Sequence, residues 1–208
     1  MTTRLASRAV AAVVSGLALV ALGLTPASAT TAQGGNCPTY SNGHCYEFTL
    51  SSVNAAAVNT RAQPWITADY TYSQAIYRNM TPGVPTSRLY RSDCSGFVSM
   101  AWGLMASYAT SDLYYLDDST ESAVGIAWHQ VASGSNITLA NIHAGDAIVW
   151  QGSGAHVVLI QGVSGSNIYV AEMTLVAGVE TGMRTVTRNL SYFMGKPDPH
   201  LIRLSQLS

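Results

Sequence analysis

One of the three cysteines in this 208-residue chain, Cys94, occupies a position where a thiol can react. It lies in Arg91-Ser92-Asp93-Cys94-Ser95-Gly96-Phe97-Val98-Ser99-Met100-Ala101-Trp102, a polar turn that runs into an apolar segment. Phe97, Val98, Ala101, Trp102 and Met105 recur at the i, i+3, i+4 spacing that buries one face of a helix. Asp93 is a good helix cap, which puts Cys94 and Ser95 in the first turn. Unpaired N–H groups and the positive end of the helix dipole there favour thiolate over thiol. The same N–H groups suit the oxyanion of an attacked carbonyl. The competing reading is a half-buried structural cysteine.

A thiolate nucleophile needs a base, and the base an orienting group. There are five histidines: His44, His129, His143, His156 and His200. Only His156 opens a strongly β-forming run, His156-Val157-Val158-Leu159-Ile160, where alternation gives it one face with Val158 and Ile160. A polar ring on an apolar strand face is ordinarily a satisfied core histidine; an unpaired thiol elsewhere shifts the reading toward catalysis. On the next strand Glu172 shares a face with Ile168, Val170 and Thr174. A three-residue hairpin loop, Ser164 to Ser166, sets Val158 opposite Glu172 and makes His156 and Glu172 diagonal neighbours about 7–8 Å apart at the backbone. A two-residue loop would put them on opposite faces. The alternative for Glu172 is an ion pair with Arg184 or Arg188.

The elements that must position these residues read as helices first and strands afterwards. The stretch Asn54 to Tyr77 contains helical material, with Pro64 kinking it or starting a second helix. The stretch from Asn79 to Arg88, with Pro82, Gly83 and Pro85, is a loop. Leu113 to Leu116 forms a short apolar turn and Ala123 to Val131 a helical stretch. Strands follow at Asp146–Trp150, His156–Val163, Asn167–Thr174, Met183–Arg188 and His200–Leu204. The expected fold class is α+β: N-terminal helices packed on an antiparallel sheet of about five strands.

The N-terminus reads as an export signal: Arg4 and Arg8, an apolar run from Ala9 to Leu24, and Ala27-Ser28-Ala29 for cleavage. The expected division is a signal peptide over 1–29, an extension over 30–50 and one domain over 51–208. The full chain has net charge −1; taking two basic residues from ten leaves eight against 11 acids, or −3. With a single lysine, Lys196, and no basic patch, nucleic acid is not an expected partner, and neither is a membrane once the signal is gone. An exported chain oxidises its thiols. Cys37 and Cys45 flank a turn-rich loop that a local bridge closes readily, which leaves Cys94 free; Cys45–Cys94 is the rival pairing. No C-x-x-C or paired-histidine spacing suggests zinc, and no cofactor is expected.

Three segments together resemble the NlpC-type, papain-like cell-wall cysteine peptidases. They are Asp93-Cys94-Ser95-Gly96-Phe97-Val98, Ala144-Gly145-Asp146-Ala147-Ile148-Val149-Trp150 and Ala155-His156-Val157-Val158-Leu159-Ile160. The resemblance covers roughly Ala55 to Leu204. It implies a papain-like fold with Cys94 as nucleophile, His156 as base and Glu172 orienting His156. Tyr72 resembles the family's upstream aromatic residue near the substrate amine, and Asp93 and Ser95 beside the nucleophile complete the expected substrate contacts. The implied activity is hydrolysis of amide bonds in peptidoglycan stem peptides by a secreted, monomeric enzyme. This chain departs from the family in two places. Tyr72-Ser73-Gln74 and a proline-containing loop replace the usual Tyr-x-Trp-Gly-Gly, and the third catalytic position is Glu where many relatives carry His or Asn. Two other readings stay open: a wall-binding protein without turnover, and an acyl or amide transferase using the same thioester.

Overall fold

The computed structural model describes residues 54–83, 89–104, 107–115, 128–176, 179–205 and 207. The expected signal segment, the expected 30–50 extension and the expected Cys37–Cys45 bridge fall outside them. Helix α1 (Ala55–Ala68) starts at Asn54, whose side-chain oxygen accepts the Ala57 N–H at 2.9 Å. It continues through Pro64, which forfeits one ladder bond without ending the helix. The adjacent Trp65 is fully buried and donates its indole N–H to the carbonyls of Asn79 and Met80. Two strands that the sequence reading did not assign, β1 (Ser73–Asn79) and β2 (Leu89–Ser92), form an antiparallel hairpin. Helix α2 (Cys94–Trp102) follows directly and is capped at its end by Gly103 at φ 73°.

After α3 (Thr110–Tyr115) comes β3 (Trp128–Ser133), then β4 (Ala147–Trp150), β5 (His156–Ser164), β6 (Asn167–Val176) and β7 (Val179–Arg188). The short helix α4 (Leu190–Met194) leads into β8 (His200–Leu204). The α+β plan holds, but the main sheet has six strands in the order β3-β8-β4-β5-β6-β7, all antiparallel. The strand absent from the sequence reading is β3, which lies partly in the stretch taken for a helix. Its ladder with β8 runs from Trp128↔Leu204 to Ser133↔His200, a long-range pairing that overrides local helical spacing. Among the described residues no helix is long and apolar enough to cross a membrane.

Strand alternation separates two cores. Val157, Leu159, Ala171 and Met173 pack in one cluster with Phe97, Val98 and Trp102 of α2 and with Val58, Ala62 and Trp65 of α1. Val158, Ile160, Ile168 and Val170 pack in the other with Ile148, Leu201 and Phe193 of α4. Helix α2 therefore covers the face opposite to that of His156 and Glu172, not their own face. As the first residue of β5, His156 stands at the end of its strand, where only the first turn of α2 reaches it.

The β5–β6 register departs from the expected one in an instructive way. The turn holds two residues, Gly165 and Ser166, because Ser164 pairs with Asn167. Two residues alone would have put His156 and Glu172 on opposite faces. A β-bulge cancels the error: Val163↔Ile168 and Gly162↔Tyr169 give way to Ile160↔Val170 and Leu159↔Ala171, so Gln161 is the extra residue. Helix α1 holds the bulge through Asn59, whose amide donates to the Gln161 carbonyl at 3.2 Å. Deleting Gln161 should turn the outer half of β5 over and remove His156 from Glu172. It should abolish enhanced Cys94 reactivity and cost on the order of 3 kcal/mol or more, whereas Gln161→Ala should stay within about 1 kcal/mol. Thermal unfolding together with Cys94 alkylation rates checks both.

Candidate active site

The start of α2 is built so that only one arrangement fits. Asp93 Oδ1 accepts the Gly96 N–H at 2.8 Å, the capping bond expected of it. A Cβ at Gly96 would lie 2.1 Å from the Arg91 carbonyl oxygen, so the chain packs against itself there without room for a side chain. Arg91 Nε lies 3.1 Å from Asp93 Oδ2, and its guanidinium donates to Ser95 Oγ and to the Tyr108 carbonyl, each at 3.1 Å. The N–H groups of Cys94 and Ser95, first in the helix, have no preceding turn to bond.

Cys94 is free and 4% exposed. Thr110 Oγ1 lies 3.5 Å from its sulfur. Burial pushes the thiol up, but hydrogen bonding and charge from His156 outweigh it and hold Cys94 below its ordinary value. Across the site, His156 Nε2 and Glu172 Oε2 are 2.9 Å apart. With Nε2 occupied, Nδ1 is the nitrogen left for the sulfur. Burial lowers His156, and its bonds to Cys94 and Glu172 more than reverse this, raising it to about 9. Burial likewise pushes Glu172 up, yet His156 and then Arg184 bring it down to about 2. Each group thus favours the charged form of its neighbour: His156 brings both Cys94 and Glu172 down, and both of them bring His156 up.

The alternatives for Glu172 turn out to be compatible. Glu172 gives one oxygen to His156 and the other to Arg184 Nη2 at 2.8 Å and Arg188 Nη2 at 3.3 Å. Arg184 is its direct cross-strand partner.

Tyr72 reaches the site in spite of its distance in sequence, because the β1–β2 hairpin brings the chain back. Ser73 pairs with Ser92, and Ser92 Oγ donates to the Thr71 carbonyl at 2.8 Å, which leaves Tyr72 beside Asp93-Cys94. Burial raises the Tyr72 phenol, as does the charge of Cys94. Asp93 and Ser95, by contrast, are 2% and 1% exposed, and their polar atoms serve the helix start and Arg91. Asp146 of the Gly-Asp motif is also structural: it is fully buried, and its two oxygens accept from Arg203 at 2.7 and 2.8 Å.

A cleft of about 330 Å³ opens beside His156 and Glu172. Tyr72, Trp150, Thr174, Arg184, Tyr192 and Lys196 contribute to its walls. Sequence reasoning did not single out Thr110, Trp150, Tyr192 or Lys196; the lone lysine and the Trp directly before the His hairpin were the available signals. Among the described residues no group of three or more His, Cys, Asp or Glu is placed to hold a metal ion.

The fold and site thus define an α+β protein with a Cys-His-Glu row at a helix start. No protein-family model matches the chain, and no curated protein matches it. Among solved structures, the crystal structure of the NlpC/p60 domain of the peptidoglycan hydrolase SagA is similar over 71% of this chain and 98% of its own. Identity is 18% and the TM-score 0.37.

The shifted groups set a pH window. His156 is raised from 6.5 to about 9, so its contribution to stability is full below pH 6.5 and lost as pH rises through about 9. Glu172 is lowered from 4.5 to about 2, so its contribution is full above pH 4.5 and lost as pH falls through about 2. Melting temperature measured against pH should show a plateau between 4.5 and 6.5 and a decline toward 9. Glu172→Gln should flatten that decline. In a separate variant, Gly96→Ala should cost about 3 kcal/mol or more, because the added methyl meets backbone that cannot yield; chemical denaturation measures it.

Proposed function

We propose that this chain is an exported cysteine hydrolase of the NlpC type, cleaving amide bonds in peptidoglycan stem peptides. The observation that carries the reading is the buried row from the Cys94 thiol through His156 to Glu172, with its 2.9 Å Nε2–Oε2 contact. The three motif segments supply the substrate class. A protein that only binds walls has no use for a thiol held below its ordinary value at a helix start, so that feature favours turnover.

In this mechanism the Cys94 thiolate attacks the carbonyl carbon of a stem-peptide amide. The oxyanion of the tetrahedral intermediate is received by the N–H of Cys94, with the N–H of Ser95 beside it. The imidazolium of His156 gives its Nδ1 proton to the departing amine as the C–N bond breaks, which leaves an acyl thioester on Cys94. Neutral His156 then takes a proton from water, whose oxygen attacks the thioester and releases the acid and the thiolate. Glu172 holds the ring with Nδ1 toward sulfur and stabilises its positive charge; Arg184 and Arg188 keep the carboxylate in place. Transfer to an amine in place of water would use the same thioester.

Cys94→Ala and His156→Ala should each abolish turnover of purified peptidoglycan, since nucleophile and base act as one unit. Glu172→Gln should retain activity reduced by about two orders of magnitude or more, because orientation and charge are lost but the proton acceptor remains. Mass analysis of soluble products reads both effects. It also distinguishes new amine termini within the stem, the mark of an endopeptidase, from whole stem peptides freed from the sugar chain, the mark of an amidase. Intact walls of several stem chemistries, incubated with protein whose Cys94 alkylates rapidly, would end this reading.

A further inference from the structure

The cleft beside His156 carries more positive charge than its internal pairs consume. Arg184 and Arg188 are committed to Glu172 through one carboxylate oxygen. Lys196 is not so committed: among the described residues no carboxylate forms an ion pair with it. The nearest acid in sequence, Asp198, is bonded to the Tyr114 hydroxyl at 2.6 Å and pairs with His200. Lys196 is instead held by aromatic rings. Its ammonium nitrogen lies 4.1 Å from the Tyr192 ring centre and 5.3 Å from that of Trp150.

Those rings belong to the site. Trp150 is the cross-strand partner of His156, and the two rings meet edge to face at 5.3 Å. The Lys196 ammonium is therefore no farther from the His156 ring than the sum of those two distances. Trp150 is itself fixed, 3% exposed and donating its indole N–H to the Gly154 carbonyl at 2.9 Å. Tyr192 stands on α4, whose start is capped by Asn189. Two rings thus hold the chain's single lysine at the wall of the cleft.

We propose that Lys196 forms an anion subsite that receives a carboxylate of the substrate residue flanking the scissile amide. This rests on the hydrolase reading for its substrate, but the subsite itself is defined by charge and position. A free carboxylate would gain a charge-assisted hydrogen bond there. A carboxamide in the same place would not.

The first test needs no substrate. Iodoacetate and iodoacetamide alkylate the same sulfur, so any change in thiol reactivity cancels in the ratio of their rates and only the reagent's charge is read. Lys196→Met, which keeps an apolar stem against the rings, should lower the iodoacetate-to-iodoacetamide ratio at Cys94 by about fivefold; Lys196→Arg should preserve it. The second test compares two stem peptides that differ only in a carboxylate or carboxamide beside the cleaved bond. Native protein should favour the carboxylate form by about tenfold through KM, and Lys196→Met should erase the preference with little change in kcat. An unchanged alkylation ratio in folded Lys196→Met protein overturns the subsite. A lowered ratio with neither peptide cut upholds the subsite and removes the peptidase reading in its place.

Discussion

A carboxyl group buried to 2% exposure stays ionised only against partners, and Glu172 has three. His156 takes one oxygen; Arg184 and Arg188 share the other. The consequences spread through the sheet. Arg184 must stand opposite Glu172, which sets the β6–β7 register. His156 must share a face with Glu172, which the two-residue turn after β5 would forbid and the Gln161 bulge restores. The bulge in turn is tied to α1 by Asn59. One costly charge therefore links three strands and a helix that are far apart in sequence.

Cys94 is held by a different device. At the α2 start the backbone folds so tightly over Gly96 that no Cβ fits, while Asp93 caps the Gly96 N–H and the guanidinium of Arg91 pairs with Asp93 and donates to Ser95. Burial alone would make Cys94 an inert thiol. The hydrogen bond and charge of His156, with Thr110 beside them, reverse that, and the reversal requires α2 and β5 to meet at the sheet's end. Helix α2 is anchored for this on the opposite face, by Phe97 and Val98 among the strand residues and by the Trp102 indole bonded to the Gly145 carbonyl at 2.8 Å.

The motif residues consequently divide by task. His156 acts on the Cys94 thiol by hydrogen bond and charge, whereas Asp93, Ser95, Gly96 and Asp146 spend their chemistry on geometry. The walls of the cleft come from elsewhere: Tyr72 from the segment before β1, Trp150 from β4, Tyr192 and Lys196 from α4 and the turn after it.

The amino-acid sequence alone determined the local facts. A cap followed by helical spacing placed Cys94 at a helix start, and alternation after His143 marked five strands, of which His200–Leu204 has the observed bounds. It also put His156 and Glu172 at strand positions of like parity. These follow from periods of 3.6 and 2, which any short window displays. What tertiary structure decided were the long-range matters. The β1–β2 hairpin brings Tyr72 to Cys94, and β3 pairs with β8 against its own local spacing. Arg184 and His156 occupy different oxygens of one carboxylate, so two readings that competed in sequence are both satisfied. The sharpest case is Gln161. Nothing in its neighbourhood distinguishes a bulge from a regular strand, because a bulge is a relation between two strands, and the face that His156 occupies relative to Glu172 depends on it.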